Sequence, residues 1–223
     1  MDIKLFFEAI IKFTLGFLII SLLLFIPANT LNYWNGWLFI GILFIPMFIA
    51  GIVMMIKSPE LLKKRLNAKE KENEQKQVVL FSGLMFLAGF IISGLNYRYS
   101  WIVLPDIVVI ISSIIFIIAY ILYAEVLREN VYLSRTIEVQ ENQKVVDKGL
   151  YGIVRHPMYA ITIMLFLSMP LVLGSIISFM IFLVYPFIIA KRIKNEEEVL
   201  EKELNGYVEY KKTVRYKMIP FIW

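Results

Sequence analysis

The sequence predicts an all-α protein: a polytopic membrane helical bundle of about six spans, including a short C-terminal helical hairpin. Three observations carry that prediction. Of 223 residues 59% are hydrophobic, with mean hydropathy +0.72, whereas a water-soluble domain is ordinarily about 45–50% apolar. The apolar residues run in long blocks, and about 20 such residues at about 1.5 Å rise cross roughly 30 Å of hydrocarbon. The basic residues, finally, are gathered between alternate blocks, as they are in chains threaded back and forth through a bilayer.

The first span is expected over 5–26, ended by Pro27 and the polar turn Asn29-Thr30. Asp2, Lys4, Glu8 and Lys12 lie in or before it, and with no small-residue cleavage signal it reads as a retained helix. The second, over 34–56, opens on Tyr33-Trp34-Asn35-Gly36-Trp37, an aromatic belt suited to the membrane interface. A charged loop over 57–77 follows and is expected to be partly helical. Spans three and four are predicted over 78–95 and 101–127, joined by a short turn at 96–100. Residues 1–127 thus form four N-terminal helices, and 128–223 a core integrated with them in one membrane domain. Residues 128–157 are too charged to cross. The apolar stretch 158–190 would reach about 50 Å as one straight helix, so a hairpin broken near Pro170 and Gly174 is the better reading. Residues 191–223 are charged, begin as a helix and end with Pro220 near the terminus.

The charges test this threading. With both termini in the cytoplasm, 22 of the 23 Lys and Arg residues are inside and only Arg98 is outside. If 158–190 were a single span, the basic residues of 191–223 would be outside, against the rule. The hairpin wins. The net charge of +5 is therefore a topology signal, with membrane lipids as partners and no role for nucleic acid. The absence of cysteine excludes disulfides, thiolate metal sites and Cys nucleophiles, and one histidine excludes a multi-His metal site.

Chemistry is most concentrated in the two segments that flank the hairpin. The first is Asp147-Lys148-Gly149-Leu150-Tyr151-Gly152-Ile153-Val154-Arg155-His156-Pro157-Met158-Tyr159; the second contains Arg192, Glu196 and Glu197. A hairpin returns its second end beside its first, so these groups can line one cavity at the membrane–cytoplasm boundary. Each has a plainer reading on local pattern alone. His156-Pro157 can simply open a helix, Arg155 can snorkel to the headgroups, and Arg192 with Glu196 can be an ordinary i,i+4 pair. Glu125 and Glu129-Asn130 either reach the cavity or only cap a helix end; Arg98 and Asp106 read as anchors at the opposite interface.

The ordered set is more specific than its parts. Gly149-x-Tyr151-x-x-x-Arg155-His156-Pro157-x-Tyr159, an apolar hairpin, Arg192-Ile193-x-x-Glu196-Glu197-x-x-Leu200, and the tail Gly206-Tyr207-x-x-Tyr210-x-x-x-Val214-Arg215-Tyr216-x-x-Ile219-Pro220 resemble the isoprenylcysteine carboxyl methyltransferase family. The likeness covers roughly 129–223, is to the bacterial branch, and extends in outline to phospholipid N-methyltransferases. It implies S-adenosyl-L-methionine as cofactor, held by Gly149, Tyr151, Arg155, His156, Pro157, Tyr159, Glu196, Glu197 and Tyr210, with Arg155, Arg192 and Glu196 in the catalytic roles and no metal. It also implies a lipophilic small-molecule or lipid-modified acceptor, methylated on a carboxylate, thiol or amine, and the plasma membrane of a prokaryote as the location. The acceptor's identity and the oligomeric state stay open. A membrane reductase resembling sterol reductases and using NADPH is the enzymatic alternative; a transporter or scaffold is the non-enzymatic one.

Overall fold

A computed structural model of the chain describes residues 3–67, 73–133 and 139–223. Among them the ordered elements are helical, and five helices are long and apolar enough to cross a membrane, with one shorter apolar helix beside them. The chain is an integral multi-pass membrane protein. Its outward-facing residues confirm the solvent: Ile3, Ile26, Ile45, Ile56, Ile107, Ile121 and Phe187 are all exposed, an inside-out arrangement that only lipid contact makes favourable.

α1 (Ile3–Ala28) and α2 (Trp34–Lys57) are joined by the predicted polar turn, and α1 continues one residue past Pro27. α3 (Pro59–Leu66) supplies the helical part expected of the charged loop, with Pro59 in its first turn. The rest of that expectation, over 68–72, lies outside the described residues. α4 (Asn73–Tyr99) and α5 (Asp106–Glu129) are the third and fourth spans. Their connection differs from the expected turn at 96–100: α4 runs through Tyr99, and the chain turns over 100–105. Asn96, which reads as a turn residue, stays helical because its amide is occupied. Its Nδ2 donates to the carbonyls of Ile102 (2.9 Å) and Gly174 (3.3 Å), and its Oδ1 accepts from the Ile102 amide (3.2 Å).

The hairpin is present as α6 (Pro157–Val172), α7 (Ile176–Phe182) and α8 (Tyr185–Glu203). Its break is set by Gly174 and not by Pro170, which remains inside α6. Gly174 has φ +74°, its amide donates to Leu171 O (3.0 Å), and the Ser175 amide donates to Pro170 O (2.9 Å). That is the glycine-terminated end that returns orphan carbonyls to partners. Ser175 then caps α7, accepting from the Ser178 amide at 3.2 Å. α7 and α8 follow each other closely, and the apolar character ends near Ala190, where the charged part of α8 begins. A last short helix, α9 (Tyr207–Thr213), leads into the tail.

α4 is held between α1 and α7 by close backbone approaches. A Cβ on Gly94 would stand 2.5 Å from Leu24 O, and one on Gly89 would stand 2.2 Å from a Phe182 ring carbon. Ser178 Oγ donates to Gly89 O at 2.8 Å across the same contact. Small residues at such crossings are how helices pack where lipid supplies no hydrophobic drive. Around them Phe86 sits edge-on to Phe166 (4.7 Å) and Phe182 (5.3 Å), and Phe39 meets Phe116 (6.0 Å).

The polar contacts sort onto the two ends of this bundle. At one end Tyr33, Asn35 and Asn96 reach the hairpin turn. At the other, the N-terminal part of α1, α3, the C-terminal end of α5, the start of α6, the charged part of α8, α9 and the tail come together.

Candidate functional site

The charged end is organised by one short 3-10 helix, Gly149–Gly152, which sits between the strap after α5 and the first turn of α6. Gly149 has φ +59°, and a Cβ there would overlap the Glu129 carboxylate at 1.7 Å. The reason is local: both Glu129 oxygens accept from the Leu150 amide, at 3.1 and 3.0 Å, so the carboxylate lies against the glycine. Glu129 therefore braces the 3-10 helix and does not itself line the cleft, a role outside the two expected from sequence.

Three residues after Gly152 the chain meets the tail. The Arg155 amide donates to Tyr216 O (2.9 Å) and the His156 amide to Lys217 O (2.8 Å). His156 then stands at the N-cap of α6 and Pro157 occupies the first turn, where its missing N–H costs nothing. The plainer reading of His156-Pro157 as a helix start is thus correct as far as it goes; the side chains do the rest. Arg155 is 6% exposed, its Nε donates to Glu197 Oε1 (2.8 Å), and one terminal nitrogen donates to Val214 O (2.8 Å) and Arg215 O (2.7 Å). His156 Nε2 lies 3.2 Å from the same Glu197 oxygen, and Lys217 Nζ lies 3.0 Å from the other.

Glu197 is the hub of this cluster. Its burial works to raise its pKa, but hydrogen bonds from His156, Arg155 and Lys217 outweigh that and hold it well below the ordinary carboxylate range. A buried carboxylate so partnered stays ionised, and removing it would strand several cations.

The opposite face of the same helix turn looks into a cleft. Arg192 Nε donates to the Tyr159 hydroxyl at 2.9 Å, and that hydroxyl donates to Glu196 Oε2. Arg192, Tyr159 and Glu196 therefore form one ordered row along the wall. The Tyr210 hydroxyl donates to Tyr151 O at 2.6 Å, which fixes the two rings on another wall. Burial pushes both phenols well above their usual range, so each keeps its proton. Over the cleft passes the strap: Gln143, Lys144, Val145 and Val146, with Asn130, Tyr132 and Leu133 before them. Gln140 Nε2 holds it to Tyr132 O (2.6 Å), and Lys64 of α3 reaches Gln140 Oε1 (2.5 Å).

The space so enclosed, including its open mouth, is about 850 Å³, within the range of about 300–1,000 Å³ typical of small-molecule sites. Of the residues expected from sequence, Tyr151, Arg155, His156, Tyr159, Arg192, Glu196 and Tyr210 line it. Gly149, Pro157 and Glu197 do not; the first two shape the backbone, and Glu197 braces Arg155 and His156 from behind. Sequence reasoning missed Lys217, the tail carbonyls and the wall residues Val145, Val146 and Tyr207. Backbone acceptors have no residue-type signature, but Tyr207 stands in the tail motif and was within reach.

Tyr207 carries an anomaly. It is 3% exposed, and its hydroxyl has no hydrogen-bond partner among the described residues. An orphan buried hydroxyl costs about 1–3 kcal/mol. Among the described residues no group of His, Asp or Glu side chains is arranged to hold a metal ion. What the cleft offers is a row of mixed charge (Arg192, Glu196), phenol and imidazole donors, and apolar lining from Leu133, Val145, Val146, Val199 and Leu200.

Comparison with known proteins bears on this arrangement. Residues 108–202 match the model of the isoprenylcysteine carboxyl methyltransferase (ICMT) family. The match takes in α5, the strap, the 3-10 helix, the hairpin and almost all of α8. No curated protein matches the chain.

Proposed function

We propose that the chain, as a member of the isoprenylcysteine carboxyl methyltransferase family, transfers a methyl group from S-adenosyl-L-methionine to a lipophilic acceptor at the charged end of the bundle. The observation that carries this reading is the cleft itself, lined both by the opposite charges Arg192 and Glu196 and by apolar residues. The group fits that donor set. Its ammonium and ribose hydroxyls suit Glu196, its carboxylate suits Arg155, His156 and Arg192, and its adenine suits the apolar lining with Tyr151 and Tyr210.

When bound, the cofactor supplies an electrophilic methyl carbon for in-line displacement. The chain's residues position and desolvate. Arg192, ordered by Tyr159, orients an anionic acceptor, and Glu196 at the end of the same row fixes a cationic group. Arg155 and His156, held by Glu197 and the tail carbonyls, form a rigid floor. The strap and α9 exclude water, which strengthens every charge interaction inside. An ionised carboxylate or thiolate acceptor needs no base; an ammonium acceptor would lose its proton first, with His156 or Glu196 within reach. Because α6 and α8 enter the cleft from apolar spans, the acceptor arrives sideways from the bilayer.

We assign both termini to the cytoplasm on the basic-residue count, and the protein to the plasma membrane of a prokaryote on its likeness to the bacterial branch. The test is methyl transfer from labelled donor by the purified protein in lipid discs, offered a prenylcysteine, an aliphatic thiol and an aminophospholipid. Transfer to one of them, lost in Arg192→Ala and Glu196→Gln, is expected. Binding of NADPH without binding of S-adenosyl-L-methionine would overturn the assignment in favour of a reductase.

A further inference from the structure

We infer that the Tyr207 hydroxyl is a ligand contact, donating its hydrogen bond to the amino-acid head of the methyl donor; this rests on the cofactor reading above. Three observations converge. Tyr207 lines the cleft, is 3% exposed, and its hydroxyl has no partner among the described residues. A buried donor of this kind is seldom left unsatisfied unless something outside the protein satisfies it.

The residue is also placed deliberately. Gly206, at φ +86°, turns the chain between α8 and α9 and puts Tyr207 in the first position of α9. Its ring packs with Leu204, Tyr210 and Val214 in a small apolar cluster under Val145 and Leu200. The cleft that it lines also carries the charged groups Glu196, Arg155 and Arg192. The ring is thus held by apolar packing while its hydroxyl is left unpartnered.

That position selects the ligand group. Burial first, then Glu197 and Glu196, push the phenol well above its ordinary value, so it keeps its proton and acts as a donor. Arg155 and Arg192 line the same cleft, so a donor there suits a carboxylate, and Glu196 takes the ammonium. The adenine end of the ligand falls to the apolar lining, away from this hydroxyl.

The experiment compares S-adenosylhomocysteine with 5′-methylthioadenosine, which shares its nucleoside and lacks the amino-acid head, by calorimetry on wild type and Tyr207→Phe in detergent. In wild type S-adenosylhomocysteine binds. In Tyr207→Phe its affinity falls about tenfold, the size of one lost hydrogen bond to a charged group, while the affinity for 5′-methylthioadenosine is unchanged. The ligand-free variant melts no lower than wild type, because the substitution removes only an unpartnered hydroxyl. An equal loss for both ligands, or no loss for either, overturns the inference and leaves the cofactor reading intact. Failure of wild type to bind S-adenosylhomocysteine overturns the cofactor reading, and this inference with it. A lower melting temperature for the ligand-free variant would show that the hydroxyl already serves the fold, and would also overturn it.

Discussion

The two ends of the bundle are closed by different chemistry. At the hairpin turn the closing groups are neutral: the Tyr33 hydroxyl donates to Leu173 O (2.6 Å), Asn35 to Val172 O (3.2 Å) and Asn96 to Gly174 O (3.3 Å). At the site they are ionic: Arg155, His156 and Lys217 converge on Glu197. The neutral contacts satisfy the last carbonyls of α6, which a helix leaves orphaned and which lipid cannot solvate. The ionic contacts satisfy no such need, since a buried ion pair gains little net stability over apolar packing. What they provide is a fixed geometry for the cleft floor. One end is built to hold, the other to position.

Substitutions at each end can sharpen or break that contrast. The largest effect is expected for Glu197→Ala, which leaves Arg155 buried without its carboxylate; about 3–5 kcal/mol of stability should be lost in chemical denaturation, together with cofactor binding. If binding survives that substitution at full affinity, the positioning role is wrong. Glu197 also sets a sign for pH. Its folded pKa lies below the unfolded value, so its contribution is fully present above the unfolded pKa and is lost only as pH falls through the folded one. The carboxylate's share of the stability gap between wild type and Glu197→Gln should therefore be lost only in strong acid, as pH falls through its folded pKa.

Gly149→Ala comes next. A Cβ at a left-handed φ, overlapping the Glu129 carboxylate, should cost about 2 kcal/mol and weaken cofactor binding by displacing the first turn of the site. Asn35→Ala at the other end should cost about 1–2 kcal/mol in thermal or denaturant stability, yet leave cofactor affinity unchanged. An affinity loss there equal to that of Gly149→Ala would mean that the two ends are not separable. The smallest effect belongs to Arg128→Ala, whose partner is the exposed Glu125; melting and binding should both match wild type.

How far these features were legible follows the same division. The spans, the hairpin and the meeting of Arg155 with Arg192 and Glu196 could be read because apolar length and basic-residue placement report on the bilayer directly. Asn96 misled because its composition signals a turn, while its amide is in fact spent on Ile102 and Gly174 from within α4. Pro170 misled similarly; Gly174, with its positive φ, ends the helix four residues later. Glu197 looked like a ligand acceptor because it follows Glu196, but consecutive helix positions face about 100° apart, and Glu197 turns toward Lys217 and Arg155. The contacts of Arg155 with Val214 and Arg215 go to backbone oxygens, which every residue type carries.

Those last contacts have a consequence for biosynthesis. The membrane helices among the described residues precede residues 214–217 in the chain, so they can be inserted while Arg155 and His156 still await their tail partners. The site is completed only when that segment leaves the ribosome and threads back beside the first turn of α6. A chain without residues 214–217 would lack the backbone acceptors that hold Arg155 and His156. The floor of the cleft is thereby the last part of the molecule to be assembled.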